Sequence, residues 1–281
     1  MSPSSGEFHA APSQVAPLFL LPNIKKLDLS LWRHREPSPE IHLPPSSSSV
    51  EELTFDSCEI CSEAFEKLVL APRGLKRLRC NFDSAFTKRL TGQLAERYAS
   101  TLEALLVYGD HSEIDIACLK KFGKLAFVEG VELSSFSICA THSSAFPESA
   151  CGCATADLRT ILPFSLQYLG IQDFSPNWYD GVLEYGGRNL DKDTLNAIVH
   201  LAEDNRFKHL RQICLWGIKL GNEYDEALMR IKDTALSLSQ GRKYDGKLRD
   251  DDYLVKRSAA MGNDFAKIET DPSQDELTFG I

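Results

Sequence analysis

One spacing recurs along this chain and constrains its fold more than any other feature. An apolar residue, two others, an apolar residue, one other and a third apolar residue occur as Ile24, Leu27, Leu29 and again as Val50, Leu53, Phe55. The pattern returns as Leu75, Leu78, Cys80; as Leu102, Leu105, Val107; and as Val128, Val131, Leu133. Two later copies read Leu166, Leu169, Ile171 and Leu210, Ile213, Leu215. The first five middle members stand at 27, 53, 78, 105 and 131, so the spacings are 26, 25, 27 and 26 residues. Successive side chains of a strand point to opposite faces, so Leu27 and Leu29 face inward while Lys26, Asp28 and Ser30 face outward. One such strand cannot bury its apolar side alone, but stacked copies can.

Between the strands the apolar period becomes that of a helix. Ser62 to Leu70 brings Phe65, Leu68 and Val69 to one side and stops at Ala71-Pro72-Arg73-Gly74. The same reading predicts helices over Asp83 to Tyr98, with Asp83 as the cap, over Ser112 to Phe122 and over Asp191 to Asn205. A last helix over Tyr224 to Ser239 is expected to cover the open end of the core with Leu228, Ile231 and Leu236.

A strand-plus-helix unit of this length with this apolar pattern is the leucine-rich-repeat period. The expected fold is α/β: a leucine-rich-repeat solenoid, with a curved parallel sheet and helices on its convex side. The phrases Leu21-Pro-Asn-Ile-Lys-Lys-Leu-Asp-Leu29, Ser49-Val-Glu-Glu-Leu-Thr-Phe55 and Leu75-Lys-Arg-Leu-Arg-Cys80 resemble the long repeats of F-box and related intracellular proteins, fungal ones in particular. The resemblance runs from about Leu20 to Leu220. It implies a protein–protein interaction scaffold, with the substrate-recognition part of an F-box-type ubiquitin-ligase receptor as its first role. A regulatory subunit that holds a GTPase or other enzyme partner is the alternative. A Skp-type adaptor and a cullin are implied as partners if an F-box accompanies the repeats.

The chain also departs from that family. No F-box is visible ahead of the first repeat, so the chain is expected either to be a fragment or never to join a ubiquitin ligase. The consensus Asn or Cys after each strand falls at Trp32, Cys58, Asp83, Asp110, Phe136 and Phe174, and only Cys58 matches. The expected organisation is a disordered segment over 1–20, the solenoid over 21–240 with rim insertions near 139–157 and 172–190, and a charged tail over 241–281.

Composition narrows the partners. A formal charge of −9 argues against nucleic acid, because a phosphate backbone needs a basic footprint. No apolar run approaches the roughly 20 residues that span a bilayer. Pro3, Glu7 and several serines stand where a secretory signal carries positive charge, so a cytoplasmic or nuclear protein with mostly reduced thiols is expected.

Catalytic chemistry has little to rest on, and neither an enzyme nor a cofactor is expected. There is no Gly-x-Ser-x-Gly elbow and no phosphate-cradling glycine loop. Cys139, His142, Cys151 and Cys153 supply three thiolates and an imidazole, a set that tetrahedral zinc accepts. Their irregular spacing, with Cys-x-Cys in place of Cys-x-x-Cys, favours ordinary loop and core thiols. Cys58 and Cys61 form a Cys-x-x-Cys pair where a strand turns into a helix, which favours a structural role over redox work.

The outward strand positions are the positive case. Arg77 and Arg79 stand together, and Leu106, Tyr108, Tyr168 and Trp216 extend them as an apolar and aromatic stripe on the concave face. Arg, Tyr and Trp are the residue types that anchor interfaces, so these six form the expected partner-binding surface. The acidic neighbours Glu52 and Asp56 offer a plainer use for the arginines, as partners within the sheet.

Overall fold

A computed structural model of the protein describes residues 10–34, 41–81, 86–108, 114–132, 157–172, 177–179, 182–184, 192–216, 237–241 and 276–279. The first half contains α1 (Pro12–Phe19), β1 (Lys26–Ser30), β2 (Arg33–His34), β3 (Glu52–Asp56), β4 (Glu59–Ile60), α2 (Ser62–Leu70), β5 (Arg77–Asn81) and α3 (Lys88–Tyr98). It continues with β6 (Ala104–Tyr108), α4 (Ile116–Leu119), β7 (Phe127–Glu132), α5 (Leu158–Ile161) and β8 (Tyr168–Gln172). The remainder is β9 (Asn177–Tyr179), β10 (Val182–Glu184), α6 (Lys192–Glu203), a 3-10 turn (Asn205–Phe207), β11 (Gln212–Trp216), β12 (Ser237–Gly241) and β13 (Glu276–Phe279).

The architecture is α/β. Strands β1, β3, β5, β6, β7, β8 and β11 lie side by side in chain order, and every neighbouring pair is parallel. β12 extends the sheet beyond β11, and β13 extends it beyond β1. Two short pairs stand apart from it, β2 with β4 in parallel and β9 with β10 antiparallel.

The register aligns the middle apolar residues in one row: Leu27, Leu53, Leu78, Leu105, Val128, Leu169 and Ile213. All are at most 1% exposed. They face Phe65, Leu68 and Val69 of α2, Leu90 and Leu94 of α3 and Leu195, Ile198 and Val199 of α6 within one buried cluster. Phe55 and Phe65 meet edge to face with ring centroids 5.0 Å apart, tying a strand to the helix that follows it. Each leucine so buried contributes roughly 1.5–3 kcal/mol, which is why the inward row tolerates little but apolar residues.

A second repetition lies in the backbone just ahead of the strands. The Lys25 carbonyl accepts the N–H groups of both Glu51 (2.7 Å) and Glu52 (2.9 Å). Glu51 does the same for Lys76 and Arg77, Lys76 for Glu103 and Ala104, and Glu103 for Ala126 and Phe127. Ala126 then receives Gln167 and Tyr168, and Gln167 receives Arg211 and Gln212. Six such forked contacts thus link seven successive strand entries, whatever the length of chain between them.

The fifth unit corrects the expected register. Val128, not Val131, stands beside Leu105 and Leu169, and Val131 stands beside Ile171. A bulge between Val128 and Val131 adds a residue, and Gly130 absorbs it at φ +90°. A β-carbon there would sit 1.7 Å from the Val107 carbonyl oxygen, so only glycine fits. The outward position beside Leu106 is therefore Glu129 rather than Gly130.

The helix ends differ from expectation as well. α3 begins at Lys88 and is capped by Thr87, whose Oγ1 accepts the Leu90 N–H at 3.3 Å; Asp83 lies outside the described residues. Within the described part of the expected Ser112 to Phe122 helix, α4 covers Ile116–Leu119 and is capped by Asp115; Ser112 and Glu113 lie outside the described residues. Pro12–Phe19, inside the segment expected to be disordered, is helical. Pro12 suits the first helical position because its missing N–H has no partner to lose there. Phe19 is fully buried, and the Ala10 carbonyl accepts the indole N–H of buried Trp32 at 2.8 Å. Ser237–Gly241, which includes the end of the expected Tyr224 to Ser239 helix, and Glu276–Phe279, within the expected charged tail, are strands; residues 224–236 lie outside the described residues.

Candidate functional site

The outward residues of the parallel strands form three rows across the sheet. Lys26, Glu52, Arg77 and Ala104 make the first; Asp28, Thr54, Arg79, Leu106 and Glu129 the second; Ser30, Asp56, Asn81 and Tyr108 the third. These side chains are mostly half-buried, in contrast to the inward rows. Alternation along each strand brings Arg77, Arg79, Leu106 and Tyr108 onto this one face.

Much of the face is paired within itself. Arg77 Nη1 lies 2.9 Å from Glu52 Oε1, across one strand. Asn81 Nδ2 donates to Asp56 Oδ1 at 2.6 Å, and Ser30 Oγ donates to Asp28 Oδ1 at 2.8 Å. The Arg79 guanidinium stands 5.8 Å from the centre of the Tyr108 ring, within cation–π range. Tyr108 donates its hydroxyl hydrogen to Glu129 Oε2 at 2.9 Å. Just outside the strands, Glu51 bridges Lys25 and Lys76, and hydrogen bonds from the two ammonium groups hold its carboxyl below the usual range.

Towards β7 and β8 the face is closed. Glu129, Tyr168 and Gln172 are each 1% exposed, and all five residues of β8 are buried on both sides. Gln172 Nε2 donates to the Gly130 carbonyl at 3.2 Å. Of the six expected anchors, Arg77, Arg79, Leu106 and Tyr108 stand together on a partly open surface. Tyr168 is on the same side of the sheet but inaccessible, because β8 is covered on its outward face too. Trp216 occupies the expected strand position at the end of β11, and its side chain lies outside the described residues. Glu129 joins the group unforeseen, since the bulge hid its position in the repeat.

The cysteine candidates divide the same way. Cys139, His142, Cys151 and Cys153 all lie outside the described residues. Among the described residues no group of three or more His, Cys, Asp or Glu could hold a metal ion. Cys58 is buried and donates to the Leu29 carbonyl of the preceding unit at 3.0 Å. Burial pushes its thiol up to about 12, far from the low value a redox cysteine needs. Cys61 is the N-cap of α2. Among the described residues no helix is long and apolar enough to cross a membrane.

No protein-family model matches the chain, and the search of curated proteins returns no match.

Proposed function

We propose that this chain is a leucine-rich-repeat solenoid that works as a protein–protein interaction scaffold, without catalytic chemistry of its own. The observation that carries the reading is the coincidence of two repetitions. The apolar triplets recur at intervals of 26, 25 and 27 residues over the first four units, and the forked backbone contact recurs at the entries of six successive strands after β1. Parallel strands laid down in chain order are what stacking of such units produces.

The binding surface in this reading is the outward face over β3, β5 and β6. Arg79, Leu106 and Tyr108 are its centre, and Arg77 lies at its edge, engaged by Glu52. These side chains combine a cation, an aromatic ring and an aliphatic group within two adjacent strands, the residue types that anchor interfaces. The partner is another protein rather than nucleic acid, given the net charge of −9. The resemblance to F-box proteins makes substrate recognition in a ubiquitin ligase the specific role proposed.

Affinity purification of the tagged chain from its native cells, followed by mass spectrometry, tests that role. Co-purification of a Skp-type adaptor and a cullin would mean that an F-box accompanies the repeats and would support that role; other proteins recovered without them would leave a bare interaction scaffold and name its partner. Recovery of a small GTPase without them would replace the ubiquitin-ligase role with a regulatory one.

A further inference from the structure

The outermost strand of the sheet is a copy of one already in it. Glu276-Leu277-Thr278-Phe279 repeats Glu52-Leu53-Thr54-Phe55 residue for residue. Both segments pair with β1 in parallel, one on each side, and in the same register. Lys26 stands beside Glu52 and Glu276, Leu27 beside Leu53 and Leu277, Asp28 beside Thr54 and Thr278, and Leu29 beside Phe55 and Phe279. β1 is thus flanked by the same four-residue sequence twice.

We infer that the outer edge of β1 is a strand-binding site for an extended protein segment of the pattern Glu–apolar–Thr–aromatic, and that Glu276–Phe279 is its tethered, exchangeable occupant. Without β13 the sheet ends on β1, whose outer N–H and C=O groups form a template for strand addition. Register supplies the selectivity. A slip of one residue would end the alignment of Leu277 with Leu27 and Leu53, and of Phe279 with Leu29 and Phe55. In the paired register the glutamate stands beside Lys26, an opposite-charge neighbour that favours the strand.

Exchange follows from how the occupant is held. β3 has neighbours on both sides and its inward residues lie in the core, whereas among the described residues β13 has a neighbour on one side only. Residues 242–275 connect it to β12, at the opposite edge of the sheet. Crossing the intervening strands requires roughly 38 Å at about 4.8 Å per strand. A chain of that length reaches farther, at about 3.3 Å per extended residue. An outside segment of the same pattern therefore competes with a resident that the same chain supplies.

The test uses the full chain and a fluorescent peptide with the sequence of residues 273–281. The wild type is compared with a Leu277→Asp/Phe279→Asp variant, which weakens the resident strand, and a Lys26→Glu change is then added to that variant. The expected result is peptide binding about tenfold tighter to the variant than to the wild type, because the resident no longer competes. Lys26→Glu should weaken that binding, and a peptide with the order of its four residues scrambled should not bind. Hydrogen exchange over residues 25–30 should be faster in the variant and slow again when the peptide is added. Equal exchange in wild type and variant, with no peptide binding to either, overturns the inference. A wild-type dimer that the variant converts to a monomer would overturn the tethered arrangement and place the segment of a second copy on the site.

Discussion

Gly170 lies directly under Glu129: a β-carbon on Gly170 would approach Glu129 Cγ to 2.7 Å and Glu129 Cα to 3.2 Å. The buried carboxylate that receives the Tyr108 hydroxyl therefore depends on a glycine one strand away. Gly170→Ala should cost about 1–3 kcal/mol, because the added β-carbon meets the Glu129 main chain at Cα as well as its side chain. Gly130→Ala should cost more, roughly 3–5 kcal/mol, since it adds a positive φ to a clash with backbone. Gly92, inside α3 with open space at its β-position, is the internal control. Gly92→Ala should stabilise by roughly 0.5–1 kcal/mol through helix propensity. Urea unfolding of the three variants checks the order.

The pair Glu52 and Arg77 carries a second prediction. At 2.9 Å, with both side chains about one-third exposed, the pair is expected to couple by roughly 0.2–1 kcal/mol. Glu52→Arg and Arg77→Glu should each destabilise by placing like charges on adjacent strands, and the double exchange should recover most of the loss. A double-mutant cycle on thermal unfolding measures this. Additive losses would mean that the pair does not interact.

Thiol accessibility gives a third. Cys58 and Cys80 are 1% exposed, and burial raises both thiols, Cys58 to about 12. Neither should react with iodoacetamide in the folded protein near pH 8, and both should react in denaturant. Cys61, half-buried at the start of α2, should be modified before them. Mass spectrometry of the alkylated peptides checks the order, and rapid native modification of Cys58 would contradict its place in the core.

Asp204 offers a pH test. Hydrogen bonds from the Arg206 side chain, and then from its backbone N–H, hold the carboxyl down at about 2, against an ordinary 3.8. A depressed carboxyl stabilises the fold above its unfolded value, and that contribution is lost as pH falls through about 2. Arg206→Gln should move the Asp204 midpoint up towards 3.8, read by carboxyl NMR titration.

How far these features were legible in the sequence depended on whether the period-2 pattern held. It held for Leu27, Leu53, Leu78 and Leu105, whose strands were read in register. It failed at Val128, because the bulge at Gly130 delays the next inward residue by one position and makes Val128, Val131 and Leu133 look like a fresh triplet. Alternation also assigns a face without saying whether water reaches it. Alternation places Tyr168 on the outward side of its strand, yet burial of all five residues of β8 removes it from any open surface. The Pro12–Phe19 helix went unread because its prolines suggest irregular chain, although one of them occupies the first helical turn. The duplicated Glu-Leu-Thr-Phe was visible as sequence but lay inside a charged stretch that otherwise lacks the repeat.

The central claim is that the outward face around Arg79, Leu106 and Tyr108 recognises another protein. Its most direct test is quantitative mass spectrometry of proteins co-purifying with the wild-type chain and with an Arg79→Glu/Leu106→Glu variant shown to be folded by circular dichroism. A specific partner recovered with the wild type is expected to be lost from the variant by tenfold or more. An unchanged set of partners on the folded variant would contradict it.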